Sequence, residues 1–212
     1  CRNNMREIDP PVITSCKTLP YTRISFHPDL RLFGLTSLEN YDFLPLFNKR
    51  VYDIAACTDK TVNVLLNGGK VPVRDFEKYV DLYLGNKKEA KRIKLQPNEY
   101  WEVYVGLNTS GKFEQVSFVN GVCTSLGGKH VDHVATKVVN KLLEEIKTKK
   151  QCKDVMPQMV KNLLTVFINA TIVNPSFNNQ MKDCLTTASK DFGSEFTVGP
   201  EEVKSLLKLG LV

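Results

Sequence analysis

The sequence has few of the residues that build metal or disulfide sites. It contains three histidines and one tryptophan, and none of its six cysteines stands in a Cys-x-x-Cys pair. There is no signal peptide, and no apolar run is long enough to cross a bilayer. We therefore expect no disulfide framework and no membrane partner, but reduced thiols in an intracellular protein.

The composition is that of an ordinary globular protein with a mild excess of positive charge. Of 212 residues, 42% are hydrophobic and 25% are charged, and 29 Lys and Arg against 23 Asp and Glu give a net charge of +6. This excess permits contact with DNA, RNA or an anionic membrane but identifies none of them. Because the chain begins at Cys1 and continues directly into polar sequence, we expect it to be a piece of a longer protein.

The first part of the chain predicts a strand followed by a helix. Residues 21–27 alternate in polarity, which favours a strand that ends at Pro28. Thr36 and Glu39 fit a capping box, so a helix is expected after them, with Pro45 in its first turn and an end near Cys57. The apolar stripe predicted for this helix consists of Phe43, Phe47, Val51 and Ile54.

The middle of the chain predicts short strands and one helix. Residues 61–73 read as a hairpin around Asn67-Gly-Gly, and residues 74–84 have helical spacing of apolar side chains. Residues 85–94 are basic and polar, which favours a loop. Two strands, 100–107 and 113–122, are then expected around a turn at residues 109–111.

The last part predicts three helices and a long polar segment. A helix after Gly128 would bury Val131, Val134, Val138, Leu142 and Ile146. A second helix would start at Pro157 and continue to residue 173, and a third would cover residues 201–209. Residues 174–194 are polar without periodicity, which is typical of a functional loop. The whole order predicts an α+β fold, a small sheet with packed helices, with a domain boundary near residue 58.

The stretch SFVNGVCTSLGGKHVDHVATKVVNKL, residues 117–142, offers three interpretations. His130 and His133 could hold one metal ion together, but no nearby side chains complete a zinc set. Gly127-Gly128 followed by Lys129 lacks the spacing and the hydroxyl of a phosphate-binding P-loop. A tight turn from strand into helix is the favoured interpretation, so no metal site is expected.

Two groups of lysines are candidates for phosphate contacts. The run Lys147-Thr148-Lys149-Lys150 is either a solvated helix end or a set of contacts to DNA phosphates. Lys182, in the long polar segment, is either solvated or a mobile charge that reaches a phosphate. For the run 147–150 the residues alone favour a solvated helix end, and for Lys182 they do not decide between the alternatives.

Several segments, taken in order, closely resemble the eukaryotic-type DNA topoisomerase II family. They are YTRISFHPDL (21–30), RVYDIA (50–55), LNGGKVPVRDFEKYVDLYL (66–84), the stretch 117–142, VFINATIVNPSFNNQMK (166–182) and FGSEF (192–196). The resemblance covers nearly the whole chain.

The resemblance implies a division of the chain and a set of partners. Residues 1–57 would be the C-terminal part of a GHKL ATP-binding lobe, and residues 58–212 a transducer domain similar to ribosomal protein S5 domain 2. It implies ATP with Mg²⁺ as cofactor, duplex DNA as partner, a homodimer and a nuclear location. The main ATP-binding residues would lie upstream of Cys1, so the 212 residues alone are not expected to hydrolyse ATP.

The resemblance also assigns roles to individual residues. Gln180, Met181 and Lys182 match the family's Gln-Thr-Lys loop, whose lysine contacts the γ-phosphate; Met181 stands where threonine is usual. Lys147, Thr148 and Lys149, with Lys150, match a lysine triplet associated with DNA. The function implied is the coupling of ATP binding and hydrolysis to gate closure and to the passage of a duplex DNA strand, as part of an ATP-dependent type IIA topoisomerase. Its alternatives are a stand-alone basic nucleic-acid-binding module and a zinc protein built on His130 and His133.

Overall fold

The computed structural model describes residues 1–3, 5–39, 42–148 and 154–210. Its contacts divide the chain into two compact units, Cys1–Tyr41 and Asp42–Val212. The domain boundary predicted near residue 58 stays a prediction, because contacts within this chain do not locate the end of a domain in a longer protein.

The first unit is mostly irregular over its described residues. It contains a short 3₁₀ helix, Leu30–Phe33, capped by Asp29, whose carboxylate accepts a hydrogen bond from the Arg31 N–H. The strand predicted over residues 21–27 is wrong: Ile24 and Phe26 are 83% and 77% exposed, and no strand pairs with this segment among the described residues. An alternating pattern alone cannot form a strand without a neighbour to complete its hydrogen bonds.

The second unit is built around a five-stranded sheet. Its strands, in spatial order, are β3 (Arg92–Asn98), β4 (Trp101–Leu107), β8 (Leu164–Ala170), β5 (Glu114–Val119) and β6 (Val122–Cys123). Neighbours are antiparallel except β5 and β8, which are parallel. The two strands predicted at residues 100–107 and 113–122 are confirmed as β4 and β5, and β8 lies between them in the sheet.

Helices cover both faces of this sheet. On one face pack α3 (Lys129–Ile146) and α5 (Pro200–Leu207), and on the other α1 (Phe43–Cys57) and α2 (Phe76–Leu84). Successive residues of a strand point to opposite faces, so Val103 and Val105 join the first layer while Tyr104 joins the second. The described helices include none that is long and apolar enough to cross a membrane.

The burial of β8 on both faces explains the largest error in the sequence interpretation. The helix that starts at Pro157, α4, ends at Asn162, and residues 164–170 form a central strand instead of continuing it. All but one of these seven strand residues are buried. Such a strand reads as a continuous apolar run, which periodicity cannot distinguish from a buried helix.

Several local predictions are confirmed. The hairpin forms from β1 (Leu65–Leu66) and β2 (Gly69–Lys70), with positive φ at Asn67 and Gly68, as a tight hairpin turn requires. All five predicted core residues of α3 are buried. The predicted loop 85–94, by contrast, ends early, because β3 begins at Arg92.

The helix α1 begins at Phe43 and buries a different face from the one predicted. The capping box is wrong, since the Glu39 N–H donates to Ser37 Oγ and Asp42 is the N-cap. Phe47 and Ile54 are about half exposed, whereas Asp53 is buried. The Tyr79 hydroxyl donates to Asp53 Oδ1 at 2.6 Å and Lys49 Nζ donates to both carboxylate oxygens at 2.9 Å. A charge buried this way is stable because it is paired and hydrogen-bonded.

The start of α3 is fixed by a buried polar cluster. His130 is fully buried, and its Nε2 lies 3.1 Å from Thr124 Oγ1, which lies 2.6 Å from Ser117 Oγ. Burial lowers the pKa of His130 to about 4, because the charged ring would lose its hydration. His133 lies elsewhere, with its ring 6.2 Å from Trp101 and 5.6 Å from Phe192. The two histidines therefore pack in different surroundings.

The low pKa of His130 predicts a loss of stability in mild acid. In the unfolded chain His130 binds a proton below pH about 6.5, whereas in the folded chain it stays neutral down to about pH 4. The free energy of unfolding therefore falls as the pH drops from about 6.5 to about 4. We expect His130 to lower the free energy of unfolding by about 2 kcal/mol between pH 7 and pH 5. Urea unfolding of the chain and of His130→Gln at both pH values measures this contribution. An equal pH dependence of the two proteins would contradict it.

Candidate functional site

The two glycines before α3 join two distant segments of the chain. Gly127–Gly128 forms a short strand, β7, that pairs in parallel with β9 (Cys184–Leu185). Gly128 has φ +126°, and a Cβ built on it would lie 2.3 Å from the carbonyl oxygen of Leu185 and 2.5 Å from its nitrogen. Only glycine permits both this backbone conformation and this approach. The prediction of a structural turn from strand into helix is confirmed.

The segment before β9 is a closed turn organised by Asn179. The side-chain oxygen of Asn179 accepts hydrogen bonds from the N–H groups of Met181 and Lys182, at 2.9 and 3.1 Å. Its amide nitrogen donates to Asp183 Oδ1 at 3.1 Å, and the Asp183 carbonyl accepts from the Leu126 N–H at 2.9 Å. The turn is thus tied to the residues that lead into α3. Asn179 was missed by the sequence interpretation, although asparagine at the start of a polar turn is a recognised signal.

Lys182 projects from this turn as an exposed positive charge. Its backbone is left-handed, with φ +59°, and its ammonium lies 5.8 Å from the centre of the Phe177 ring. Within the described residues, no carboxylate lies within ion-pair distance of that ammonium. An unneutralised ammonium on an ordered turn can contact an anionic oxygen as a point charge.

Gln180 and Met181 complete the three predicted loop residues. The structure places both on the surface beside Lys182, and Met181 is 73% exposed. The N–H groups of Met181 and Lys182 are already used by Asn179. The side chains of Gln180 and Lys182 therefore provide the polar groups that this turn can offer to a ligand.

The predicted DNA-contact residues lie at the other end of α3. Lys147 is exposed directly after the helix, and its N–H donates to the Leu143 carbonyl at 3.0 Å. The Thr148 hydroxyl donates to the Glu145 carbonyl at 2.6 Å, so it caps the helix end. Lys149 and Lys150 lie outside the described residues. The 18 residues of α3, about 27 Å long, separate Lys147 from the Lys182 turn.

No described group of three or more His, Cys, Asp and Glu side chains could hold a metal ion. Five of the cysteines lie in the described part of the chain, and each is a free thiol there. Burial raises the pKa of the Cys57 thiol to about 12, which keeps it protonated at neutral pH.

Comparisons with known proteins agree on one family. Residues 75–204 match the DNA gyrase B family. DNA topoisomerase 2 of Arabidopsis thaliana is 42% identical over 217 residues, which cover 99% of this chain and 15% of that protein. The chain thus spans only a small part of the length of such curated relatives.

Two solved structures are similar in fold and sequence. The ATPase region of Saccharomyces cerevisiae topoisomerase II is 37% identical with a TM-score of 0.77, over 87% of this chain and 46% of that one. The ATPase and transducer domains of DNA topoisomerase II from Balamuthia mandrillaris are 36% identical with a TM-score of 0.79, over 86% and 45%. The predicted α+β class, a sheet with packed helices, is confirmed.

The close approach at Gly128 predicts a large effect of a single methyl group. We expect Gly128→Ala to lower the free energy of unfolding by about 2–5 kcal/mol, from backbone strain and overlap with Leu185. The matched control is Gly69→Ala, where the nearest atom to the new Cβ is 3.5 Å away and the expected change is within about 0.5 kcal/mol. Urea unfolding followed by circular dichroism compares the two. Equal stabilities would show that residues 128 and 185 do not hold this contact.

Proposed function

The chain belongs to the DNA gyrase B family and is similar over nearly its whole length to eukaryotic DNA topoisomerase 2, and we propose that it couples ATP hydrolysis to strand passage in a type IIA topoisomerase. In this proposal the 212 residues are one working part of an isomerase, and the main ATP-binding residues belong to the rest of an ATPase region. The stand-alone nucleic-acid-binding module is not favoured by the family relationship.

The observation that carries the proposal is the parallel pairing of β7 with β9. This pairing attaches the Lys182 turn to the residues that begin α3. A displacement of the turn would therefore be passed to the helix, because Gly128 and Leu185 leave no free space between them. The helix itself buries nine residues along its length, so a shift of its first turn would also act on the layer that it packs against.

Lys182 fits the role of a phosphate contact. Its ammonium is exposed and has no carboxylate partner among the described residues, while the turn that carries it is closed by Asn179. Bound ATP with Mg²⁺ would supply the γ-phosphate and the free energy of its hydrolysis. A charge-assisted contact from Lys182 is worth about 1.5–3 kcal/mol. Its loss after hydrolysis would release the turn and bias the position of α3 by roughly one to two orders of magnitude.

Duplex DNA is the proposed partner at the far end of α3. Lys147, with Lys149 and Lys150, would contact backbone phosphates without reading sequence. Thr148 is neutral and contributes no charge there, and its hydroxyl caps the helix. We further propose a homodimer and a nuclear location, which are the setting in which a eukaryotic topoisomerase II would act on DNA.

Lys182→Ala should impair ATP hydrolysis. The measurement is steady-state ATP turnover by a protein in which the upstream lobe precedes this chain, with Lys190→Ala, an exposed lysine on the same segment, as the matched control. We expect the Lys182 variant to lose at least about tenfold in rate, from removal of one charge-assisted contact. Met181→Thr should stay near the unchanged rate, because the Met181 side chain holds no part of the turn. Normal ATP turnover in Lys182→Ala would contradict the phosphate contact proposed for Lys182.

Lys147 should contribute one phosphate contact to DNA binding. For a mixed-sequence duplex, we expect Lys147→Ala to reduce the slope of log K against log salt by about 1, and Thr148→Lys to increase it by a similar amount. Fluorescence anisotropy over a range of KCl concentrations measures both slopes. Unaltered slopes in both variants would show that this helix end does not contact DNA.

A further inference from the structure

A positively charged cleft lies between the loop after α2 and the end of α5. It has a volume of about 350 Å³ and is lined by Lys87, Lys91, Arg92 and Lys208, with Ser205 and two apolar residues. No carboxylate lines it among the described residues. Its basic residues are up to 121 positions apart in the chain, from Lys87 to Lys208, so only the fold brings them together.

The ammonium groups of this cleft are largely unneutralised. Within the described structure, no carboxylate lies within 4.0 Å of the ammonium of Lys91 or Lys208. Lys87 pairs with Glu77 at 3.5 Å, but both side chains are solvent-exposed, so this pair is weak and easily exchanged. Glu77 and Asp81 neutralise Lys87 and Arg92 beside the cleft, so its unpaired charge is that of Lys91 and Lys208. Positive charge gathered in a concave surface concentrates anions.

Arg92 forms a fixed part of the cleft wall. Its side chain is almost fully buried and is fixed by Asp81 and by the Gly85 carbonyl, which accepts a hydrogen bond from Nη1 at 3.0 Å. Its Nε, however, is a buried donor without a hydrogen-bond partner. Because the side chain is almost fully buried, Arg92 contributes a fixed and paired positive charge to the lining, and direct contacts to a ligand fall to the exposed lysines.

The helix α5 lies between the cleft and α3. This helix packs against both α3 and β3, the strand that Arg92 begins. The hydrogen bond to Glu201 and the charge of Glu201 raise the pKa of Lys204, and the charge of Glu145 in the last turn of α3 adds to the effect. Lys204 therefore lies near that last turn, and Lys208 follows one helical turn later beside the cleft.

We propose that the cleft of Lys87, Lys91, Arg92 and Lys208 binds backbone phosphates of duplex DNA and extends the contact surface that begins at Lys147. The inference rests on the proposed function, since DNA is the partner proposed there. It adds residues of α5 and of the loop after α2 to an interface otherwise confined to the end of α3. Arg92 fixes the position of the site, while Lys91 and Lys208 provide the exchangeable contacts.

The test compares two double variants that remove the same charge. Lys91→Ala with Lys208→Ala removes the two unpaired lysines of the cleft, and Lys60→Ala with Lys190→Ala removes two exposed lysines that do not line it. Arg92 is left intact because its ion pair is structural. Anisotropy of a labelled mixed-sequence duplex over a KCl series gives the salt slope of each protein, and thermal unfolding confirms that all are folded.

The cleft variant should lose about 1 to 2 from the magnitude of the salt slope, and the control less than about 0.5. Equal slopes for the two double variants would overturn the proposal. Tripolyphosphate supplies a second arm: if it binds in a manner that needs Lys91 and Lys208 while duplex binding does not, the cleft is a site for small anions and the DNA assignment is wrong. A duplex slope that needs Lys147 but not the cleft would leave the proposed function standing and reject only this extension.

Discussion

A side chain cannot be placed at residue 128, because its Cβ would lie 2.3 Å from the carbonyl oxygen of Leu185. This constraint holds together two segments that are far apart in sequence, the turn that carries Lys182 and the first residues of α3. Everything proposed for the site depends on it, since a loop without this attachment could move without moving the helix. Gly127 and Gly128 both have positive φ, a backbone conformation that glycine adopts readily and that this close pairing requires.

The buried polar cluster beside the glycines serves the same attachment. His130 occupies the first turn of α3, and through Thr124 it reaches Ser117 in β5. A neutral imidazole is suited to this place because burial would make its charged form expensive. The start of α3 is therefore attached to the sheet by side-chain hydrogen bonds and to the Lys182 segment by backbone pairing. These two restraints act on neighbouring residues at the start of α3, so they fix the turn and the helix to each other.

Local signals in the sequence were sufficient for local structure and insufficient for the sheet. The hairpin at Asn67-Gly68, the helix α2 and the core of α3 could be predicted because turn chemistry and helical spacing act within a few residues. The strand β8 could not, because burial on both faces erases its alternation. The role of Lys182 was assigned by family resemblance, and Asn179 was missed although its contacts are local. The cleft at Lys91 and Lys208, in contrast, depends on contacts that only the folded chain creates. Residues whose role arises from long-range packing leave little trace in a linear pattern.

The size of the lysine contact sets a limit on what the coupling can achieve. One charge-assisted hydrogen bond contributes about 1.5–3 kcal/mol, so Lys182 alone can shift a two-state equilibrium by about 10- to 150-fold. A complete switch from one state to the other needs about 5.5 kcal/mol of differential affinity. In the proposed homodimer two such loops would act on one gate, and their sum of about 3–6 kcal/mol would come within reach of that requirement. A coupling element of this strength therefore works best in pairs, which gives a physical reason for joining the phosphate contact to a dimeric gate.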